Sequence, residues 1–198
     1  TLVGMAPTHV RFGSFEISYY RGQHELLKVL ADFVIGAHFK HLQEAPDKYA
    51  CFFAEVVERT AKLIARWQAV GWAHGVMNTD NMSILGLTLD YGPFGFMDDY
   101  DAGFICNHSD HNGRYAFNQQ PYIGLWNLSC LAQALLPLAG KEALKAALDS
   151  YTPTFEREYR ALMRAKLGLI QEWGDDDELI RDFLGLLQGS HADFTIVF

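Results

Sequence analysis

Trp72-Ala-His-Gly-Val-Met-Asn-Thr-Asp-Asn-Met-Ser-Ile-Leu-Gly-Leu-Thr-Leu-Asp-Tyr-Gly-Pro-Phe-Gly95 is the stretch on which the reading of this 198-residue chain turns. It opens with a small polar loop, His74 to Asn81, closed by two adjacent oxygen-bearing side chains, Asp80 and Asn81. A short apolar run follows (Met82 to Leu85), Gly86 interrupts it, and a second run (Leu87 to Leu89) leads into Asp90. Two β-prone runs around one glycine predict a tight hairpin. Such a hairpin returns Asp90 to the side of Asn81, since both stand at the same end of the ribbon. An Asp and an Asn held together, with a second Asp adjacent, suit a hard oxygen-liganded cation such as Mg²⁺ carrying substrate phosphates.

The order of these residues is also that of a kinase-type site. There a His precedes an Asp base, an Asn for metal follows the base, and a hairpin leads to Asp-Phe-Gly for metal again. His74 fits, Asn81 stands five residues after Val76, and Asp90-Tyr91-Gly92 takes the place of Asp-Phe-Gly. The base position itself is Val76, which accepts no proton. The nearest substitute is Asp80. The scaffold is kinase-like and the chemistry is not that of an ordinary kinase.

His74 to Asp98, read as one ungapped run, resembles the signature of the selenoprotein O/YdiU family. Weaker agreement extends from about Ala6-Pro-Thr-His-Val-Arg-Phe-Gly-Ser-Phe-Glu16 to about Leu138. The resemblance implies a pseudokinase fold and transfer of AMP from ATP to protein hydroxyls, with ATP bound in reversed orientation. It implies that Arg11 meets nucleotide phosphate. The family carries a second phosphate arginine seven residues earlier, where this chain has Gly4. Relatives also place a nucleotide-covering N-lobe, with a lysine–glutamate pair, ahead of the Arg11 region. The chain therefore reads as a fragment, inactive by itself, and its apolar ends at Thr1 and Phe198 agree with that.

Composition sets the outer bounds. Hydrophobic residues at 49% and aromatics at 14% supply a sizeable core and argue against disorder. A net charge of −8 argues against a broad nucleic-acid surface, while a metal and one or two arginines still suffice locally for ATP. No apolar run reaches membrane-spanning length and no signal-peptide pattern opens the chain. Cys51, Cys106 and Cys130 form no Cys-x-x-Cys pair and read as buried thiols in a reducing compartment.

Outward from the central stretch, Val10 to Ile17 alternates apolar and polar residues, predicting a short extended segment from which Arg11 projects. Leu26, Leu27, Leu30, Phe33, Val34 and Ala37 form a helical stripe within Gln23 to Leu42. A longer helix is expected from Asp47 to Val70, stopped by Gly71. Beyond the central stretch, Phe94 to Gln120 reads as a loop in the place of an activation segment. Its Asp98, Asp99 and Asp101 read as a solvated acidic turn, and Arg114 and Tyr115 either contact a protein substrate or serve the loop. His108-Ser-Asp-His111 has metal-like spacing but no helix and no third ligand nearby, so zinc is rejected. Helices follow at about Tyr122–Leu136, Lys141–Leu148, Pro153–Leu169 and Asp176–Gln188.

The expected architecture is thus a mainly α domain over residues 1–198 with a small β-hairpin, built as a protein-kinase-like C-lobe. The expected activity is protein adenylyltransfer, with Asp80 as the catalytic base and Asn81 and Asp90 on Mg²⁺ or Mn²⁺. Arg11 and Asp90 face the nucleotide. ATP and protein substrates are the partners, nucleic acid and membrane are not, and bacterial cytoplasm is the expected compartment, a mitochondrial homologue being the alternative. Two other classes stand beside this reading. One is an inactive pseudokinase binding module; the other is an ordinary kinase-like phosphotransferase, which Val76 disfavours.

Overall fold

The structure, a computed structural model, describes residues 5–198; Gly4, the position of the expected second phosphate arginine, lies outside the described residues. Seven α-helices carry the fold: α1 (Phe12–Tyr20), α2 (His24–His38), α3 (Lys48–Ala69), α4 (Gln120–Leu135), α5 (Lys141–Asp149), α6 (Tyr151–Lys166) and α7 (Asp176–Ser190). Helix α3 is the axis. Its stripe of Phe52, Phe53, Val56, Val57, Ile64 and Trp67 is buried as the periodicity predicts, and it packs against α4, α5 and most extensively α6. Helix α1 lies on α4 and α2, closing the main core with Phe12 and Phe15.

Three expectations need correction. The segment from Val10 to Ile17 is not extended beyond Arg11: the chain enters helix α1 at Phe12. Phe12, Phe15 and Ser18 are buried at spacings of three, and in so short a window this helical spacing is easily read as alternation. On α2 the core takes Leu27, Ala31, Val34 and Ile35, while Leu26, Val29 and Phe33 remain exposed. Cys51 is exposed and only Cys106 and Cys130 are partly covered, all three as free thiols.

The small antiparallel sheet also differs in place from the expected hairpin. Its strands are β1 (Trp72–Ala73) and β2 (Gly95–Phe96), which bracket the central stretch instead of lying inside it. The expected hairpin survives as a turn: Met82 and Thr88 form one antiparallel bridge, and Gly86 N–H donates to the Ser83 carbonyl at 3.1 Å. The turn lies across α3, where Trp67 Nε1 donates to Thr88 Oγ1 at 3.0 Å. That side-chain anchorage replaces the ladder that two full strands would have made.

The C-terminal end seals the far side of the sheet. Phe194 N–H donates to the Asp98 carbonyl at 2.7 Å, and the ring fills the space above Gly71. Lys166 stands over the rings of Phe194 and Phe198 at 3.9 and 3.8 Å and donates to the Ala69 carbonyl at the end of α3. Burial there lowers the Lys166 pKa to about 8.

Candidate active site

Between β1 and the turn, the backbone has almost no secondary structure to satisfy its carbonyls. Side chains do it instead. Gln120 donates to the Trp72 carbonyl (2.9 Å), Cys106 to Ala73 (3.5 Å) and Asn107 to Gly75 (3.1 Å). Asn81 donates to Val76 (2.9 Å) and Asn127 to Met77 (2.8 Å). Buried carbonyls left unpaired each cost on the order of 1–3 kcal/mol, so these amides specify one conformation for the loop. Gln120 and Asn127 are buried polar residues seven apart on the apolar helix α4. That spacing on one face is the sequence signal by which they were findable.

His74 is the hinge pin of this arrangement. Its ring is fully buried against Trp67 and Trp72, and its backbone N–H donates to Gln120 Oε1 at 2.9 Å. Nε2 lies 2.9 Å from the Leu89 carbonyl, which only accepts, so the ring proton sits on Nε2 and Nδ1 receives the Val76 N–H at 3.3 Å. Burial lowers the His74 pKa from its ordinary value, with the Leu89 hydrogen bond and the nearby Asp90 charge opposing. A neutral, doubly bonded imidazole is a scaffold and not a proton carrier.

The same contacts link Asn81 to the residue before Asp90. Asn81 is bonded to Val76, Val76 to His74, and His74 to Leu89, the residue before Asp90. Thr79 to Asn81 form a 3₁₀ turn that leaves Asp80 exposed and Asn81 buried. Since Asn81 commits its Nδ2 to Val76, its Oδ1 is the atom left for a ligand. Asp90 adopts φ 59°, the left-handed region that only glycine enters freely and Asp tolerates better than most. Tyr91 and Phe94 pack on each other and on Trp72, fixing the chain just beyond it. Arg11 joins the group through its backbone, bridged to Ser83, with Phe12 N–H on the Met82 carbonyl at 3.0 Å.

Among the described residues no three His, Cys, Asp or Glu side chains gather as a dedicated metal cage. Asn81 and Asp90 offer one amide oxygen and one carboxylate. Mg²⁺ carried by a nucleotide takes one or two protein oxygens and fills its shell with phosphate and water. Asp90 forms no ion pair among the described residues, so its charge is uncommitted. In the loop beyond β2, Asp110 is occupied by the backbone N–H groups of Arg114 and Tyr115 at 2.9 and 2.7 Å, while His108 and His111 are exposed. Arg114 itself leans over the rings of Tyr115 and Trp126.

The loop is thus locked by side-chain amides, with Asp80 exposed, Asn81 buried and Arg11 bridged through its backbone to Ser83. Residues 1–198 match the family described as Protein adenylyltransferase SelO, and the chain belongs to that family. It is 58% identical over 197 residues to the Protein nucleotidyltransferase YdiU of Myxococcus xanthus. It is 59% identical to those of Vibrio cholerae over 194 residues and Thioalkalivibrio sulfidiphilus over 203 residues. These alignments cover 98–100% of this chain and about 40% of each relative, so the chain spans about two fifths of the length of the curated relatives it matches. None of the described helices is long and apolar enough to cross a membrane.

Proposed function

We propose that residues 1–198 form the kinase-like C-lobe of a bacterial, cytoplasmic protein adenylyltransferase, which transfers AMP from ATP to hydroxyl side chains of proteins. The observation that carries the reading is the bond chain Asn81–Val76–His74–Leu89, which ties the Asn and Asp90 sides of the site to one buried imidazole. Asn81 Oδ1 and the Asp90 carboxylate would hold Mg²⁺ or Mn²⁺, whose charge offsets that of the nucleotide phosphates. Arg11 meets phosphate oxygens from the other side. Asp80, exposed and one residue from Asn81, accepts the proton of the acceptor hydroxyl as its oxygen bonds to the α-phosphorus and pyrophosphate departs. Val76 leaves the usual base position without a proton acceptor, which favours Asp80 for this task.

The donor end of ATP distinguishes this reaction from phosphate transfer. In the complete protein, incubated with divalent metal and ATP labelled at either the α or the γ phosphate, the α label is expected on protein and the γ label is not. Gamma label on protein would make it a phosphotransferase, and no label from either would make it a binding module.

A further inference from the structure

We propose that Gly13 is a positioning residue for Asp80: the bare Cα on the first turn of α1 is the seat of the Asp80 carboxylate. The inference rests on the reading of Asp80 as proton acceptor. A Cβ at Gly13 would stand 1.9 Å from Asp80 Oδ1 and 3.0 Å from its Cγ, far inside contact distance. Backbone freedom does not explain this glycine, since Gly13 is an ordinary residue of helix α1. Glycine inside a helix costs about 1 kcal/mol relative to alanine, so space is what the position supplies.

The gap between helix and turn is fixed by the main chain. Phe12 N–H donates to the Met82 carbonyl at 3.0 Å and Ile84 N–H to the Val10 carbonyl at 3.1 Å, with the Arg11–Ser83 bridge between them. Helix α1 cannot withdraw, because Phe12 and Phe15 are fully buried in the core. The Asp80 side chain has no hydrogen bond or ion pair among the described residues, and a Cβ at Gly13 would take the space that its carboxylate occupies. The carboxylate lies at the wall of an open cavity of about 370 Å³, shared with Glu16, Ile17, Tyr20, Arg21 and Thr79. A Cβ at Gly13 leaves the fold in place and turns this carboxylate out of its seat.

The test compares Gly13→Ala, Asp80→Ala and the double variant in the complete protein, by α-phosphate transfer, calorimetric binding of ATP–Mg²⁺ and thermal midpoint. Gly13→Ala is expected to lower kcat by about 10²-fold, the usual scale for a displaced catalytic group, at unchanged ATP affinity. In the Asp80→Ala background it should have no further effect on transfer. Any loss of thermal midpoint should vanish there too, because no remaining atom then lies closer to the new Cβ than the ordinary contact with Asp80 Cα at 3.5 Å. If Asp80→Ala abolishes transfer and Gly13→Ala does not, the inference is overturned and the role of Asp80 stands. If Gly13→Ala lowers the midpoint equally in both backgrounds, it acts through the fold and the inference fails. If Asp80→Ala transfers normally, the base assignment falls, and the midpoint coupling alone decides whether the seat exists.

Discussion

Asp90→Asn in the complete protein is expected to weaken metal-dependent ATP binding by more than about 10²-fold, since loss even of a metal ligand's supporting partner commonly costs 10–100-fold. Asparagine is the informative replacement. Asp90 sits at φ 59°, and Asn tolerates that conformation where alanine would add backbone strain. The variant therefore removes charge while keeping the turn that Tyr91 and Phe94 anchor to Trp72. Asp80→Ala is expected to show the opposite pattern: ATP–Mg²⁺ affinity retained, transfer reduced by about 10²–10⁴-fold as for loss of a general base. Calorimetric titration and transfer kinetics on the two proteins measure both. Equal loss of nucleotide binding in each would show that the two carboxylates share one role.

Gly86→Ala is expected to cost substantial stability. Its φ of +65° disfavours any side chain, and a Cβ there would stand 2.7 Å from Arg59 Cβ and 3.0 Å from Arg59 backbone atoms on α3. Helix backbone does not yield, so the turn must lift. Left-handed strain and overpacking together predict a loss of about 2–4 kcal/mol in chemical denaturation. Gly22→Ala is the matched control: the same φ of +65°, but nothing within 4 Å. It should cost about 1 kcal/mol, the backbone part alone. A Gly86→Ala loss no larger than that of Gly22→Ala would mean that the turn is not seated on α3.

What the sequence made readable and what it concealed follow from the physics of each element. Helices α3 to α7 announce themselves because one apolar stripe meets one core, and their ends fall within a few residues of the expected ones. The acidic first turn of α7 is similarly legible, although Asp176 is also buried against Arg164 at 2.6 Å. Helix α2 misleads because it carries two apolar faces, and periodicity does not say which of Leu26 or Leu27 finds a neighbour. Strands β1 and β2 are two residues each, too short for any alternation. Within the candidate site, residue types and order pointed to Asp80, Asn81 and Asp90, and the bracing of the loop was the hidden part. Contacts from Gln120 to Trp72 and from Asn127 to Met77 span nearly fifty positions, and no local pattern encodes them. Gly13 was hidden for the opposite reason, since its meaning lies in an absent side chain.

Asn81 and Asp90 are proposed to share one metal ion, with Asp80 outside its shell. Anomalous scattering from crystals of the complete protein with Mn²⁺ and a non-transferable ATP analogue tests it directly. The predicted result is a Mn²⁺ peak within about 2.5 Å of both Asn81 Oδ1 and an Asp90 carboxylate oxygen, with the Asp80 carboxylate free beside Gly13. A nucleotide-bound Mn²⁺ held by Asp80, or by the acidic turn of Asp98, Asp99 and Asp101 with Asn81 bare, would contradict it.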